Sequence, residues 1–284
     1  MEIGAHVSTA GGIDNAIENA KKIGAECIQV FGSPPQSWRY KPQPQEKIDA
    51  FKERARAAEI SSVFFHGIYL INLGTEIEEN LGKGIDSLIA HMKLASDIDA
   101  AGVIFHLGSH KGRGFDAVLP QVVSSMNHVL DNTPEDTWLI IENAAGMGSH
   151  IGASFSEIGA VMRELSHQRV KVCLDTAHTF AAGYNIAEVA GVEEAMSEFD
   201  REVGFKNLVA VHANDSKIPL GGGVDRHENI GEGHIGRDGF HVIMSHPAFR
   251  DVPFILEVPG FEKKGPDRKN IDILHSIYEA ATRG

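Results

Sequence analysis

Strand-like and helix-like runs alternate eight times along this chain, and few folds accept that pattern. The apolar runs are Ile3–Val7, Cys27–Phe31, Ser62–Phe65, Val103–Phe105, Trp138–Ile141, Val170–Leu174, Leu208–Val211 and Phe254–Leu256. Each is followed by a segment with apolar residues at helical spacing: Asp14–Ile23, Glu46–Ala58, Ile77–Ile98, Phe115–Leu130, Phe155–Leu165, Ile186–Val203, Asp238–Met244 and Asn270–Ala281. A repeat of about 35 residues is here the βα unit itself, in which each helix returns the chain to the start of the next parallel strand. Eight such units predict a closed (β/α)8 TIM barrel, with an open doubly wound sheet as the alternative that periodicity alone does not exclude. No linker or composition shift interrupts residues 1–284, so one domain is expected.

The strand ends carry the chemistry. The first run leads into His6, the third into His66, the fourth into His106, the fifth into Glu142, the sixth into Asp175, the seventh into His212 and the eighth into Glu257. In a barrel all these positions lie at the carboxyl-terminal mouth, where active sites of this architecture are built. One such histidine reads as a satisfied core residue; seven metal-capable side chains at equivalent positions do not. Carboxylate and neutral imidazole are ordinary ligands for zinc or manganese. Val170–His178 shows the ambiguity of a single case, since Asp175 is also a good N-cap and His178 three residues on could be a surface residue. The two cysteines, Cys27 and Cys173, sit in apolar runs and form no Cys-x-x-Cys pair, so any metal must be held by His, Asp and Glu. Buried reduced thiols, an N-terminus without a signal pattern and no long apolar run lead to the expectation of a soluble cytoplasmic protein with no membrane partner.

The loops add a second layer. The net charge of −13 argues against non-specific nucleic-acid binding by the whole surface, though it leaves room for a local cationic face. Arg39, Lys41, Lys111, Arg113, Lys217, Arg226, Lys263 and Lys264 all fall in loops, which suggests an anionic substrate at the mouth. The Asn143–Ser149 stretch could present backbone N–H groups to a phosphate. Asp225 and His227, two residues apart in the long segment after the seventh strand, could chelate one ion from an extended backbone. Gly231-Glu232-Gly233-His234-Ile235-Gly236 matches the spacing of a dinucleotide fingerprint, but no apolar strand precedes it, and nucleotide binding there is rejected.

Three long blocks then fix a resemblance: Ile141-Glu142-Asn143-Ala144-Ala145-Gly146-Met147-Gly148-Ser149, Cys173-Leu174-Asp175-Thr176-Ala177-His178, and His212-Ala213-Asn214-Asp215-Ser216-Lys217 running on to Asp225-Arg226-His227. With Gly4-Ala5-His6-Val7-Ser8, His66–Leu73 and Phe105–His110, they make nearly the whole chain resemble endonuclease IV, the deoxyribonuclease IV family of apurinic/apyrimidinic endonucleases. The resemblance implies a barrel with three zinc ions. His66, His106 and Glu142 would hold the first; Glu142 would bridge to a second completed by Asp175, His212 and Glu257; His178, Asp225 and His227 would hold the third. Manganese would suit some of the same donors. It also implies hydrolysis of the phosphodiester 5′ to an abasic site in duplex DNA by a hydroxide shared between two ions, with Glu142 and Glu257 catalytic and a monomer as the acting form. His6, nominated by its strand end, is not a ligand in the family and becomes a supporting residue. Tyr69, Gln36, Lys217 and Arg226 are the implied DNA contacts. The loop Phe31–Trp38 departs from the family, with Pro34 and Gln36 where Asn and Arg are usual, so one cationic contact to DNA is lost there.

Two other readings compete. A sugar isomerase or epimerase of the xylose-isomerase-like group needs only Glu142, Asp175, His212 and Glu257, and leaves the other donors unexplained. A non-catalytic damage-binding or metal-storage protein fits poorly with a bridging carboxylate, because structural zinc sites are closed.

Overall fold

The computed structural model describes residues 1–283. Its eight long strands are β1 (Ile3–His6), β2 (Ile28–Phe31), β3 (Val63–His66), β4 (Gly102–His106), β5 (Trp138–Glu142), β6 (Val170–Asp175), β7 (Leu208–His212) and, after two short strands, β10 (Phe254–Leu256). All pair in parallel, and β10 closes back onto β1, so the sheet is a barrel and the open-sheet alternative falls. The helices between them are α1 (Asn15–Ile23), α2 (Gln45–Ala57), α3 (Glu78–Asp97), α4 (Phe115–Asp131), α5 (Phe155–Leu165), α7 (Val189–Glu202), α8 (Gly236–Ser245) and α9 (Arg268–Thr282). An extra helix, α6 (Thr176–Ala181), starts directly at the end of β6 and was not expected, because its six residues are too few to show a period. The short strands β8 (Asp215–Ser216) and β9 (His227–Glu228) pair antiparallel and turn the long segment after β7 into a ribbon.

The strands alternate between two apolar compartments. Ile3, Ala5, Val30, Phe65, Val103, Phe105, Ile141 and Val172 face the helices and join the large core between barrel and helical shell. Cys27, Phe64, Ile104, Ile140, Cys173, Ala210 and Ile255 form a separate buried cluster, the interior of the barrel. Two residues further along each strand, on the same inward face, stand Gln29, His66, His106, Glu142, Asp175, His212 and Glu257. The interior is therefore an apolar plug roofed by one polar side chain from each strand, with His6 completing the ring on β1. Each buried large apolar side chain contributes roughly 1.5–3 kcal/mol, so the plug is a firm floor for that ring.

Gly4 takes the plug position on β1, and the close approach of β2 requires it. A Cβ there would lie 1.8 Å from the Cys27 carbonyl oxygen and 2.6 Å from its Sγ. Gly4→Ala should therefore destabilise the fold by at least the ~1–3 kcal/mol typical of overpacking, read as a lowered melting temperature; an unchanged melting curve would show that β1 and β2 can part without cost.

Candidate metal centre

Three histidines of the polar ring and His178 of α6 converge on Glu142, which is 1% exposed at the end of β5. His66 Nε2 lies 3.1 Å and His106 Nε2 3.4 Å from its Oε2, while His212 Nδ1 lies 3.1 Å and His178 Nδ1 3.3 Å from its Oε1. Donor atoms gather into three groups, each within 4.8 Å: His66, His106 and Glu142; Glu142, Asp175, His212 and Glu257; and Asp175, His178 and His227. Asp225 Oδ1 lies 3.2 Å from both His178 Nε2 and His227 Nε2, so it borders the third group. The structure thus brings together all nine residues expected at the metals. It differs from the expected partition in placing Asp175 at the border of two groups. The four residues that suffice for the sugar isomerase reading form one group, with two more groups beside it.

Local structure aims these side chains. Asp175 is both a helix cap and a candidate metal ligand: Oδ1 accepts the His178 backbone N–H at 2.7 Å as α6 begins, and Oδ2 accepts from Asn214 Nδ2 at 2.7 Å. Each carboxylate oxygen keeps a further lone pair. Asn214 also accepts the Glu257 backbone N–H at 2.8 Å, and Asn143 accepts that of Asp175 at 2.7 Å. The imidazoles are held by their second nitrogens. His66 Nδ1 donates to the Gly67 carbonyl at 2.6 Å, His178 Nδ1 to that of Asn143 at 3.0 Å, and His227 Nδ1 reaches that of Glu257 at 3.4 Å. Such bonds fix the tautomer and leave the opposite nitrogen as a lone-pair donor. Sequence reading missed Asn143, Asn214 and Gln29 as site builders, since amides carry no metal signal, and the offset of Gln29 from the strand end hid it. The N–H of Ala144 is used internally, by the Gly152 carbonyl at 2.9 Å.

The fit to a divalent metal can be judged from unmet polar atoms. Glu142 Oε1, His178 Nε2, His212 Nδ1 and His227 Nε2 are buried without a hydrogen-bond partner among the described residues, a costly arrangement unless a cation satisfies them. All four face the donor groups. Electrostatics agrees. Burial opposes ionisation of Glu142 and Glu257, yet the surrounding imidazoles hold both carboxyls well below their ordinary 4.5. Burial also opposes protonation of His178 and His212, but neighbouring carboxylates, with Cys173 beside His212, hold both well above 6.5.

The cleft above the ring has a volume of about 1220 Å³ and is walled by Tyr69, Pro34, Pro35, Lys22 and Lys264 with all the donor residues except the buried Asp175 and His212. Tyr69 is 61% exposed, packed edge-on against Phe31 and His66 with ring centroids 5.4 Å and 6.1 Å away. Gln36, Lys217 and Arg226 are exposed nearby and do not line the cleft. His6 stands beside the ring, its Nδ1 3.3 Å from Glu257 Oε1.

The rejected dinucleotide spacing has a structural explanation. Asp215, fully buried, accepts the backbone N–H groups of Ser216, Gly231, Gly233, Ile235 and Gly236 at 2.8–3.3 Å. A Cβ on Gly233 would come within 2.4 Å of its Oδ1. The glycines thus wrap an internal carboxylate, and the anion cradle they form is filled by the chain itself. The same residue anchors the ribbon on which Asp225 and His227 are carried.

With this geometry the molecule is a TIM-barrel enzyme with a carboxylate–imidazole centre at its mouth, and the family described as xylose isomerase-like TIM barrel matches residues 17–277. A probable endonuclease 4 of Halothermothrix orenii is 36% identical over 275 residues, covering 96% of this chain and 99% of that protein. The crystal structure of endonuclease IV from Thermus thermophilus superposes with a TM-score of 0.85 at 30% identity, over 100% of this chain and 99% of that one. The chain belongs to the endonuclease IV family, and is an enzyme of the nuclease class. A D-tagatose 3-epimerase-like protein is similar in fold alone, with a TM-score of 0.77 at 15% identity over 100% of this chain and 99% of that one. Among the described residues no helix is long and apolar enough to cross a membrane.

Two predictions follow from the charges and the ribbon. In metal-stripped protein, the raised imidazoles contribute stability that is full below their ordinary 6.5 and lost as pH rises through the folded values. The depressed carboxyls contribute stability present above their ordinary 4.5 and lost as pH falls through theirs. A divalent metal needs the unprotonated rings, so its binding should release protons near pH 7 and tighten as pH rises; calorimetry in two buffers of different ionisation enthalpy reads this, and identical heats would contradict it. Asp215→Asn should leave the barrel folded but cost about 1–3 kcal/mol locally, seen as faster amide exchange across residues 217–236, whereas unchanged protection would remove its anchoring role.

Proposed function

We propose that this enzyme hydrolyses the phosphodiester 5′ to abasic sites in duplex DNA, leaving a 3′-hydroxyl and a 5′-deoxyribose phosphate. One observation carries the reading: Glu142 and Asp175 each belong to two of the three donor groups, so ions held there would share carboxylates and act on one phosphate together. The proposed complement is three zinc ions. His66, His106 and Glu142 would hold one, Glu142, Asp175, His212 and Glu257 a second, and His178, Asp225 and His227 a third, with manganese chemically acceptable in the same donors. Zinc in such donors polarises phosphoryl oxygens and makes water nucleophilic at neutral pH. Glu142, shared between two groups, and Glu257 are the carboxylates assigned to that chemistry in this proposal.

The chain's own residues do the rest. Four carboxylates among the nine donors do not cancel three divalent ions, so the centre stays positive and attracts an anionic phosphodiester. Lys22 and Lys264 in the cleft wall add to that attraction locally, although the whole chain carries −13. Tyr69 and the neighbouring Leu70 present exposed apolar surface at the rim, suited to fill the gap in a base stack that an abasic site leaves. An unpaired sugar is cheap to extrude, and the cleft is large enough to receive it. Pro34 and Pro35 stiffen the adjacent wall, and the Pro35 carbonyl accepts the Tyr69 backbone N–H at 2.9 Å, tying the two recognition loops together. Gln36, Lys217 and Arg226 would meet the flanking duplex outside the cleft, and a monomer suffices because every donor comes from one chain.

Purified protein should hold about three zinc ions and nick a duplex carrying a stable abasic analogue on its 5′ side. Glu142→Ala should lose metal from two groups and more than about 100-fold in nicking rate. An intact duplex in the presence of fully metallated wild-type enzyme would overturn the function, and a fully metallated, active Glu142→Ala would overturn the bridging role.

A further inference from the structure

The polar ring has one member that is neither an imidazole nor a carboxylate. Seven of the eight inward side chains above the apolar plug are imidazoles or carboxylates; the eighth, on β2, is Gln29, and it is fully buried. Both polar atoms of its carboxamide are engaged. Nε2 lies 2.6 Å from Glu257 Oε1 and 2.9 Å from His6 Nδ1, while Oε1 lies 2.8 Å from His212 Nε2.

The chemistry of these partners fixes who donates. A carboxylate oxygen only accepts, so the amide N–H must face Glu257, and the amide oxygen must then face His212. An amide oxygen also only accepts, so His212 Nε2 must carry the proton. In the neutral ring the lone pair is then on Nδ1, the atom that stands 3.1 Å from Glu142 Oε1 and 3.3 Å from Glu257 Oε2 with no hydrogen-bond partner among the described residues. The other imidazoles with an engaged second nitrogen, His66, His178 and His227, meet backbone carbonyls there. His212 alone among these four relies on a side chain, and that side chain also holds Glu257, a second donor of the same group.

We propose that Gln29 is the positioning residue of the Glu142–Asp175–His212–Glu257 group, locking His212 as its Nε2–H tautomer and holding the Glu257 carboxylate beside it through one amide. The inference rests on the metal reading of that group. Gln29 is fully buried and does not itself line the cleft, so it acts through the two donors and makes no contact with substrate.

Gln29→Met keeps the bulk and removes all three hydrogen bonds. Gln29→Glu keeps an acceptor for His212 but sets a second carboxylate against Glu257. In a chelator-competition titration, Gln29→Met should weaken zinc at this group by about 10–100-fold, while binding by His66, His106 and Glu142 persists. Long-range 1H–15N correlation spectra of zinc-loaded protein should show a slowly exchanging Nε2–H on wild-type His212 that is lost in Gln29→Met and kept in Gln29→Glu, which should bind zinc more weakly for the second reason. In the nicking assay kcat should fall with KM for DNA unchanged. Wild-type zinc affinity and an unaltered His212 spectrum in Gln29→Met would overturn the inference. Should that variant fail to fold, Gln29→Glu with undiminished zinc affinity would overturn it equally. Wild-type enzyme that binds zinc with the expected His212 spectrum but leaves abasic duplex uncut would overturn the proposed function alone, because the metal and tautomer readouts do not depend on the substrate.

Discussion

Everything at the mouth depends on one packing constraint: in a closed parallel barrel, inward side chains two residues apart on every strand lie in successive tiers around one axis. The lower tier here is apolar, from Phe64, Ile104, Ile140 and Ile255 to the two cysteines. It excludes water from below and gives the upper tier a rigid base. The upper tier can then hold seven titratable groups and an amide within hydrogen-bonding reach, because strand pairing rather than loop conformation sets their spacing.

Gathering those groups is unfavourable taken singly. A buried carboxylate or imidazolium without a partner costs several kcal/mol, and this centre contains Glu142, Asp175 and His212 with almost no exposure. Mutual pairing offsets part of that cost, which is why the carboxyls are held acidic and His178 and His212 basic. The orphaned atoms that remain point where a divalent cation would bind. The site is thus chemically strained toward metal, while Asn143, Asn214, Gln29 and backbone carbonyls prevent the rings and carboxylates from rotating away to satisfy one another more fully.

The segment after β7 shows how the chain extends the centre beyond the reach of its strands. Asp225 and His227 come from a ribbon outside the barrel, and a two-strand ribbon has little stability alone. Asp215 compensates by gathering five backbone N–H groups around one buried carboxylate. The same glycine spacing elsewhere would wrap a phosphate, so the motif reports an anion cradle without saying whose anion fills it.

The sequence by itself determined the eight βα units, whose closure into a barrel only the pairing of β10 with β1 decides, and the position of the centre, through the residues that end the strands. Both are local patterns: a period is visible within ten residues, and a His or Glu after an apolar run is visible one residue at a time. Long blocks such as Cys173–His178 and His212–Lys217 added the family. What only the tertiary structure decided was pairing. Asp175 could be read as cap or donor, and the fold makes it a cap while leaving it placed for the other role, since its two oxygens face a helix terminus and the centre at once. His6 looked equivalent to the other strand-end histidines until its nitrogen was found against Gln29 and Glu257. Gln29 itself carries no signal in one dimension, because an amide gains meaning only from the donors and acceptors that closure of the barrel brings to it from strands 23 to 228 residues away.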